Sequence, residues 1–431
     1  MVHLSRYTFD YPFRALLVIL PFMTVLSIFT KERLGIPGFS FIKELLLISL
    51  LLTIAYYHIR GIQKLEWTKY DIAIFLYIGV MIGVSFFTTG IVGILYGWKY
   101  DFSFLIAFFV IYHGYSFLGK SPSYYIRLFL IAWGIMIFIS MLLKWPLSED
   151  LLLYLGYSGN PSNWQFGSSV PIFHGVDGAN VRRFQGLLDG PNTMGAYLLL
   201  YMGILVYYFR SKKNWHFILG CTAMLWVVLI LYTYSRSAVL WILWWVWIII
   251  LFSLKDIYKK YRIQFISLIL VFILVLGGIF IQYAGNMQAI IERWWSTNGH
   301  KERMKTWIER FLTHPLGQWL ASAGPAYRYI QNLENKDRKE IEESDRYYIP
   351  ESWYIQQMIE GGILGILTFL FTLSLIVYRL FRIHIVLGGM FLSICIMNFF
   401  LHTFESSVVS LSLFLIVWLL IAHFERTHER K

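Results

Sequence analysis

AGNMQAIIERWWSTNGHKERMKTWIERFLTHPLGQWLASAGPAYRYIQNLENKDRKEIEESDRYYIPES, residues 284–352, is the long hydrophilic interruption in a chain of otherwise nearly continuous apolar segments. A chain in a bilayer satisfies its backbone within helices or buried protein, so a loop of this length lies outside the hydrocarbon. Loops this long are functional or disordered rather than simple connections. This one carries ten of the 37 Lys and Arg residues, several of them at helical spacing beside tryptophans. The activity is therefore expected in this loop and in the spans it covers.

Outward from the loop, the chain is read for spans, each of which needs about 20 largely apolar residues. That rule gives about twelve, at residues 13–30, 40–58, 71–95, 102–118, 126–144, 192–209, 215–234, 237–254, 263–283, 353–378, 383–401 and 406–423. Gly83, Gly90 and Gly93 interrupt the third. The expected fold is all-α: a polytopic membrane helix bundle with about 12 transmembrane helices and one large extracytoplasmic helical loop. It divides into residues 1–283 (spans one to nine, with a smaller outer loop at 145–191), the loop 284–352, and residues 353–431 (spans ten to twelve and a tail).

Composition supports this class. Charged residues make up 14% and apolar ones 58%, against roughly 25% charged in a soluble domain. The 17 Trp, 29 Tyr and 35 Phe suit interfacial aromatic belts. A net charge of +12 is explained by cytoplasmic loops facing anionic lipid, so nucleic acid is not an expected partner. Cys221 and Cys395 both fall in apolar spans, which argues for buried thiols and against a disulfide framework or a metal site. The first apolar segment has no small-residue cleavage site and is expected to be retained.

The positive-inside rule sets the expected orientation. With both termini in the cytoplasm, 19 Lys and Arg residues fall in the short inner segments. The short outer links hold few, chiefly Lys31, Arg33, Lys99 and Arg236. Residues 145–191 and 284–352 are then extracytoplasmic, in a multi-pass protein of the cell membrane.

Four groups of residues converge on that outer surface. RRFQGLLDGPNTMGAY, Arg182 to Tyr197, reads as a turn closed by an Asn192 cap beside Pro191, or as a phosphate site through Arg183. YSRSAV, Tyr234 to Val239, puts Arg236 within a turn of two apolar helices. Such an arginine either snorkels or serves a function. HKERMKTWIERFLTHPLGQ, His300 to Gln318, reads as a helix with Arg303, Trp307 and Phe311 on one face and Arg310 and His314 on another strip. Pro315 ends that helix. It either lies on the membrane surface or aims guanidinium groups at phosphate oxygens, which their planar fork grips bidentately. Each such charged hydrogen bond is worth about 1.5–3 kcal/mol.

PESWYIQQMIEGGILG, Pro350 to Gly365, begins with Glu351, which reads as a helix-terminal carboxylate, alongside a capping Ser352, or as a general base. Glu360 lies about two turns into the apolar segment and needs a partner, for which an arginine is expected. Gly361, Gly362 and Gly365 permit close helix packing.

In this order, the four groups resemble the O-antigen ligase and O-antigen polymerase superfamily. Arg183, Gly186, Pro191 and Asn192 match its Arg–x–x–Gly run closing on Pro-Asn. Ser235, Arg236 and Ser237 match its Ser-Arg-Ser, and Arg303, Trp307 and His314 to Gly317 match the external-loop pattern. SWYIQQMIEGGILG fits the frame of the span after that loop, with Glu351 and Ser352 where the ligases have His-Asn. The resemblance covers roughly residues 180–365, and the order and spacing of the motifs carry it.

It implies a metal-independent, cofactor-free glycosyltransferase that polymerises undecaprenyl-diphosphate-linked oligosaccharide repeat units into capsule, exopolysaccharide or O-antigen. Arg183, Arg236, Arg303 and Arg310 would bind the diphosphate. Glu351 would act as base, with His314 in reserve. A flippase and chain-length regulators are the protein partners implied, besides membrane lipids. A ligase that hands a finished glycan to a lipid or protein acceptor is the alternative within the family. A transporter or flippase, kept open by Glu44, Asp71, Glu360 and Glu405, is the alternative outside it. A third reading is a scaffold that recruits partners through Asn332 to Arg346.

Overall fold

The structure is a computed structural model. It describes residues 2–36, 38–62, 64–85, 91–159, 170–176, 179–210, 215–235, 237–239, 304–324, 326–327, 330, 350 and 352–428.

The described chain is mostly helical, and seven of its helices are long and apolar enough to cross a membrane: Tyr7–Glu32, Phe39–Ile59, Gly93–His113, Pro122–Lys144, Pro191–Phe209, Trp353–Ile383 and Ser407–Thr427. In chain order the helices are α1 (Val2–Ile19), α2 (Met23–Glu32), α3 (Ile42–Ile59), α4 (Lys69–Ser85), α5 (Ile91–Gly97), α6 (Ser103–Phe108), α7 (Pro122–Lys144), α8 (Leu151–Tyr154), α9 (Pro191–Phe209), α10 (Trp215–Tyr232), α11 (residues 304–313), α12 (Trp353–Ile383), α13 (Ile385–Met397) and α14 (Ser407–His428). The most deeply packed is α14, whose residues Leu411 and Leu413 to Leu419 are fully buried.

Several expectations need correcting. The third expected span, 71–95, is described as α4 through Ser85, and residues 86–90 lie outside the described residues; the 17 residues of α4 extend about 26 Å, slightly less than the roughly 30 Å hydrocarbon core. The next apolar helix then begins before residue 102. A π turn at Trp98–Phe102 and another at Phe109–His113 carry α5 and α6 through as one run, so Lys99 is helical rather than part of a short link. Of the expected span at 237–254 only residues 237–239 are described, and the expected span at 263–283 lies outside the described residues.

The smaller outer segment is not purely helical. Gly175–Val176 and Ala179–Arg182 form an antiparallel pair with Gly175 opposite Arg182. Cys395 is buried and free, as a small apolar side chain would be.

The tenth expected span is a single run of 31 residues broken at Gly362, whose backbone (φ 63, ψ −161) leaves the helical region. A break frees backbone groups, and within an apolar bundle these must find partners elsewhere.

Contacts fix which helix ends lie together. Tyr207 near the end of α9 packs on His384 at the start of α13, and Tyr70 and Arg379 both meet Glu425. At the opposite end lie Ser85, Pro191, Thr233 and the start of α12, where the amide of Trp353 donates to the carbonyl of Asn398.

Candidate functional site

Two of the four groups interlock at that second end. Arg183 Nε donates to the carbonyl of Thr233 and Nη2 to Asn192 Oδ1, both at 2.9 Å. The amide of Phe184 donates to the carbonyl of Tyr232 at 2.8 Å. The Arg-x-x-Gly run is thus bound to the end of α10, three residues before Arg236. Gly195 completes the fit: a Cβ there would stand 2.8 Å from Ala238 Cβ. Gly186 has φ +56, and a Cβ would meet the Ser140 hydroxyl at 2.3 Å, so glycine is needed on both grounds.

The cap expected of Asn192 is not found. Gly190 holds the N-cap position without a side-chain bond, Pro191 sits at the first helical position, and Asn192 spends its oxygen on Arg183. The reason is geometric: proline's fixed φ suits the first turn, which leaves Asn192 inside the helix.

The other two groups interlock as well. α11 ends at Thr313, as Pro315 predicts, and the His-Pro-Leu-Gly stretch then clasps the break in α12. The amide of Gln318 donates to the carbonyl of Ile359 at 2.8 Å, and the amide of Ile363 to the carbonyl of Pro315 at 2.9 Å. Loop backbone thereby satisfies groups that Gly362 frees. Gly317 (φ +93) approaches so closely that a Cβ would lie 2.6 Å from Gly362 N. Trp307 is buried with Ala323, Ile355 and Ile359, which anchors α11 to α12.

Beyond the clasp, the supposed outer loop enters the bundle. Leu320, Ser322, Ala323 and Ala326 are fully buried, and the amide of Leu320 donates to Ser85 Oγ at 2.7 Å. Within 284–352, this run of small residues is a plug between α4, α5 and α12.

Of the expected site residues, Arg310 lies over the Trp307 ring at 5.1 Å and donates to Gln318 Oε1 from Nε (3.1 Å) and Nη2 (2.6 Å). His314 is exposed, with Nδ1 2.9 Å from Thr313 Oγ1 and 3.3 Å from Gln318 Nε2. Arg183, Arg310 and His314 thus share one end of the bundle, in two clusters linked by α13, which packs on both α9 and α12. Arg236, Arg303 and Glu351 lie outside the described residues. Ser352 caps α12, accepting from the amide of Ile355 at 3.5 Å.

Glu360 corrects the sequence reading most sharply. Among the described residues its partners are not arginines: Oε1 accepts from the amide of Ala323 at 3.4 Å, and its carboxyl faces that of Asp101. Asp101 lies in the π turn, and its Oδ1 accepts from Gln357 Nε2 at 2.9 Å. A sequence signal existed, because Asp101 is an acidic residue followed by a long apolar run.

Two side chains near Arg183 also escaped notice. Solvent reaches Asp189, yet the surrounding protein pushes its carboxyl up. His174, whose carbonyl accepts from the amide of Arg183, is pushed down to about 4, first by burial and then by the Arg183 charge. Two non-glycine residues with positive φ, Tyr234 (φ 50) and Ala321 (φ 62), flank the same two clusters. Such strain concentrates at functional sites.

His174 gives a pH prediction. Its folded pKa lies below the ordinary 6.5, so its contribution to stability is complete above that value and is lost as pH falls toward about 4. The loss is about 3 kcal/mol. His174→Gln should flatten the acid side of a thermal-stability profile, and an unchanged profile would refute this.

Compared with models of known protein families, the chain matches none, and no curated protein matches it.

Proposed function

We propose that this chain is a membrane glycosyltransferase that joins polyprenyl-diphosphate-linked oligosaccharide repeat units, in a bundle of about 12 spans with both termini cytoplasmic. The observation that supports this reading is the pairwise interlock of four motifs at one end of the bundle. It orients Arg183 and Arg310 through the neutral acceptors Thr233 O, Asn192 Oδ1 and Gln318 Oε1.

In the proposed reaction an acceptor hydroxyl attacks the anomeric carbon of the donor sugar. The carbon–oxygen bond to the diphosphate breaks, the new glycosidic bond forms, and the hydroxyl proton passes to Glu351. The lipid diphosphate leaves with its electron pair, stabilised by Arg236, Arg303, Arg183 and Arg310. His314 is the second candidate base. Purified protein mixed with lipid-linked repeat units should give a ladder of lengthening products. Consumption of donor without a ladder would point to transfer of a single glycan, and no consumption would refute the reading.

One observation favours a transporter or flippase instead. The break at Gly362 beside buried Asp101 and Glu360 is the kind of feature transporters place at a binding site. The break is filled here by Pro315 to Gln318 rather than left open. Ion-gradient-driven uptake by vesicles, with no ladder, would decide for that reading.

A further inference from the structure

Asp101 and Glu360 are both fully buried, and they approach each other from two helices that are distant in sequence. Each has one oxygen occupied: Asp101 Oδ1 by Gln357 and Glu360 Oε1 by Ala323. The remaining oxygens, Asp101 Oδ2 and Glu360 Oε2, have no hydrogen-bond partner among the described residues. Yet the two carboxyl groups lie within hydrogen-bond reach of each other. Two acceptors bond only when a proton lies between them, and two buried like charges in contact do not both stay ionised. One proton satisfies both oxygens at once.

A second set of groups faces the same place. Gln356 lies one turn before Glu360 on the same helix face. It is fully buried, and neither of its amide atoms has a hydrogen-bond partner among the described residues. The Ser322 hydroxyl is in the same condition. Both sit at the roof formed by the plug: a Cβ on Gly324 would meet Gln356 Oε1 at 2.4 Å, and Ala323 is the residue bonded to Glu360. Among the described residues the roof is fastened to the helices beneath it by the two backbone bonds at the Gly362 break, the Leu320–Ser85 bond and the Ala323–Glu360 bond.

We propose that Asp101 and Glu360 form a one-proton binding site beneath residues 315–324, and that release of this proton unseats the plug. With the proton bound, the pair carries one negative charge and Glu360 receives the amide of Ala323. Without it, two carboxylates face each other in a site closed to water. Lifting the plug admits water to both, with Gln356 and Ser322 as ready partners for it.

Among the described residues the other titratable groups facing the pair are Tyr77 of α4, whose hydroxyl bonds Gln357, and Glu405 in the turn before α14. Glu405 lies 3.3 Å from His402. A charge on Glu405 adds to the repulsion, so the seated plug favours the protonated pair. The sign follows: the plug is held while the proton is bound and released as pH rises.

The test is hydrogen–deuterium exchange of the peptide covering residues 315–324, in detergent or nanodiscs, from neutral to strongly alkaline pH and corrected for intrinsic exchange. In wild type, protection should fall at least tenfold as pH rises. Glu360→Gln keeps a donor to an ionised Asp101 but has no proton to lose, so its protection should stay level. Asp101→Asn, with the amide on the other helix, should behave likewise and serves if the first variant fails to fold. Difference infrared spectra should show a protonated carboxyl band lost with rising pH in wild type and missing in both variants. Wild-type protection that does not change with pH, or variants that open as wild type does, would overturn the proposal. None of these readouts depends on glycosyl transfer.

Discussion

Gly317→Ala should release the clasp over the break in α12 and destabilise this end of the bundle by several kcal/mol, about 2–5. Two effects add. The residue has φ +93, a left-handed conformation that costs a non-glycine residue about 1–2 kcal/mol. The new Cβ would also stand 2.6 Å from Gly362 N, 2.7 Å from Glu360 O and 2.8 Å from Gly361 C. These are backbone atoms that no rotamer change can move aside, and overpacking of this kind costs about 1–3 kcal/mol.

The combined loss, about 2–5 kcal/mol, corresponds to faster opening of residues 315–324 by at least tenfold. Amide exchange of that segment measures it. Gly83→Ala is the control: nothing lies within 4 Å of a Cβ there, and alanine is favoured over glycine within a helix by about 0.5–1 kcal/mol. Equal exchange in the Gly317 variant and wild type would mean that the clasp does not hold the plug.

Much of the fold was legible in the sequence because hydrophobic length is a strong signal. Pro122–Lys144 and Pro191–Phe209 begin at prolines in the first helical position, and their extents match the apolar runs closely. The errors share one cause. Where a polar residue interrupts an apolar run, length alone does not tell a link from a helix that buries the residue. The expected link between residues 95 and 102 holds Lys99, but a π turn at Trp98–Phe102 keeps the chain helical and turns Asp101 inward.

The same limit applies to Gly361 and Gly362. They read as packing residues, and one of them does take close contact, with Met81 Sδ 2.2 Å from where a Gly361 Cβ would be. The other breaks the helix, and it does so only because Pro315 and Gln318 arrive from 40 or more residues away to take up the freed groups. Nothing local in the sequence of α12 announces that help. The site was legible in a similar measure. Order and spacing of the motifs pointed to one surface, but the pairing of group one with two and of three with four is a tertiary fact. It rests on single bonds such as Arg183 to Thr233 and Gln318 to Ile359.

Arg236→Ala and Glu351→Ala should each abolish long polymer while leaving the protein in the membrane. Removing one preorganised group that stabilises developing negative charge lowers turnover by about 10²–10³, and removing a general base lowers it by about 10²–10⁴. In a polymerisation, each added unit multiplies the deficit in chain length, so the ladder should shrink to its first rungs. Glu351 has a competing structural role to exclude, because a carboxylate at the start of a helix also stabilises the positive end of its dipole, by about 0.3–1 kcal/mol. Ser352 already caps α12, so the dipole contribution is dispensable.

Glu351→Gln and Glu351→His separate the two roles. Glutamine keeps the shape but takes no proton, and it should be as inactive as alanine. Histidine loses the favourable charge at the helix start but can accept the proton, and it should recover a measurable part of the ladder, with a pH profile moved toward the imidazole range. If glutamine is active and histidine is not, Glu351 orients the helix, and the proton must go elsewhere. His314, exposed at the head of the clasp, is then the residue to replace next.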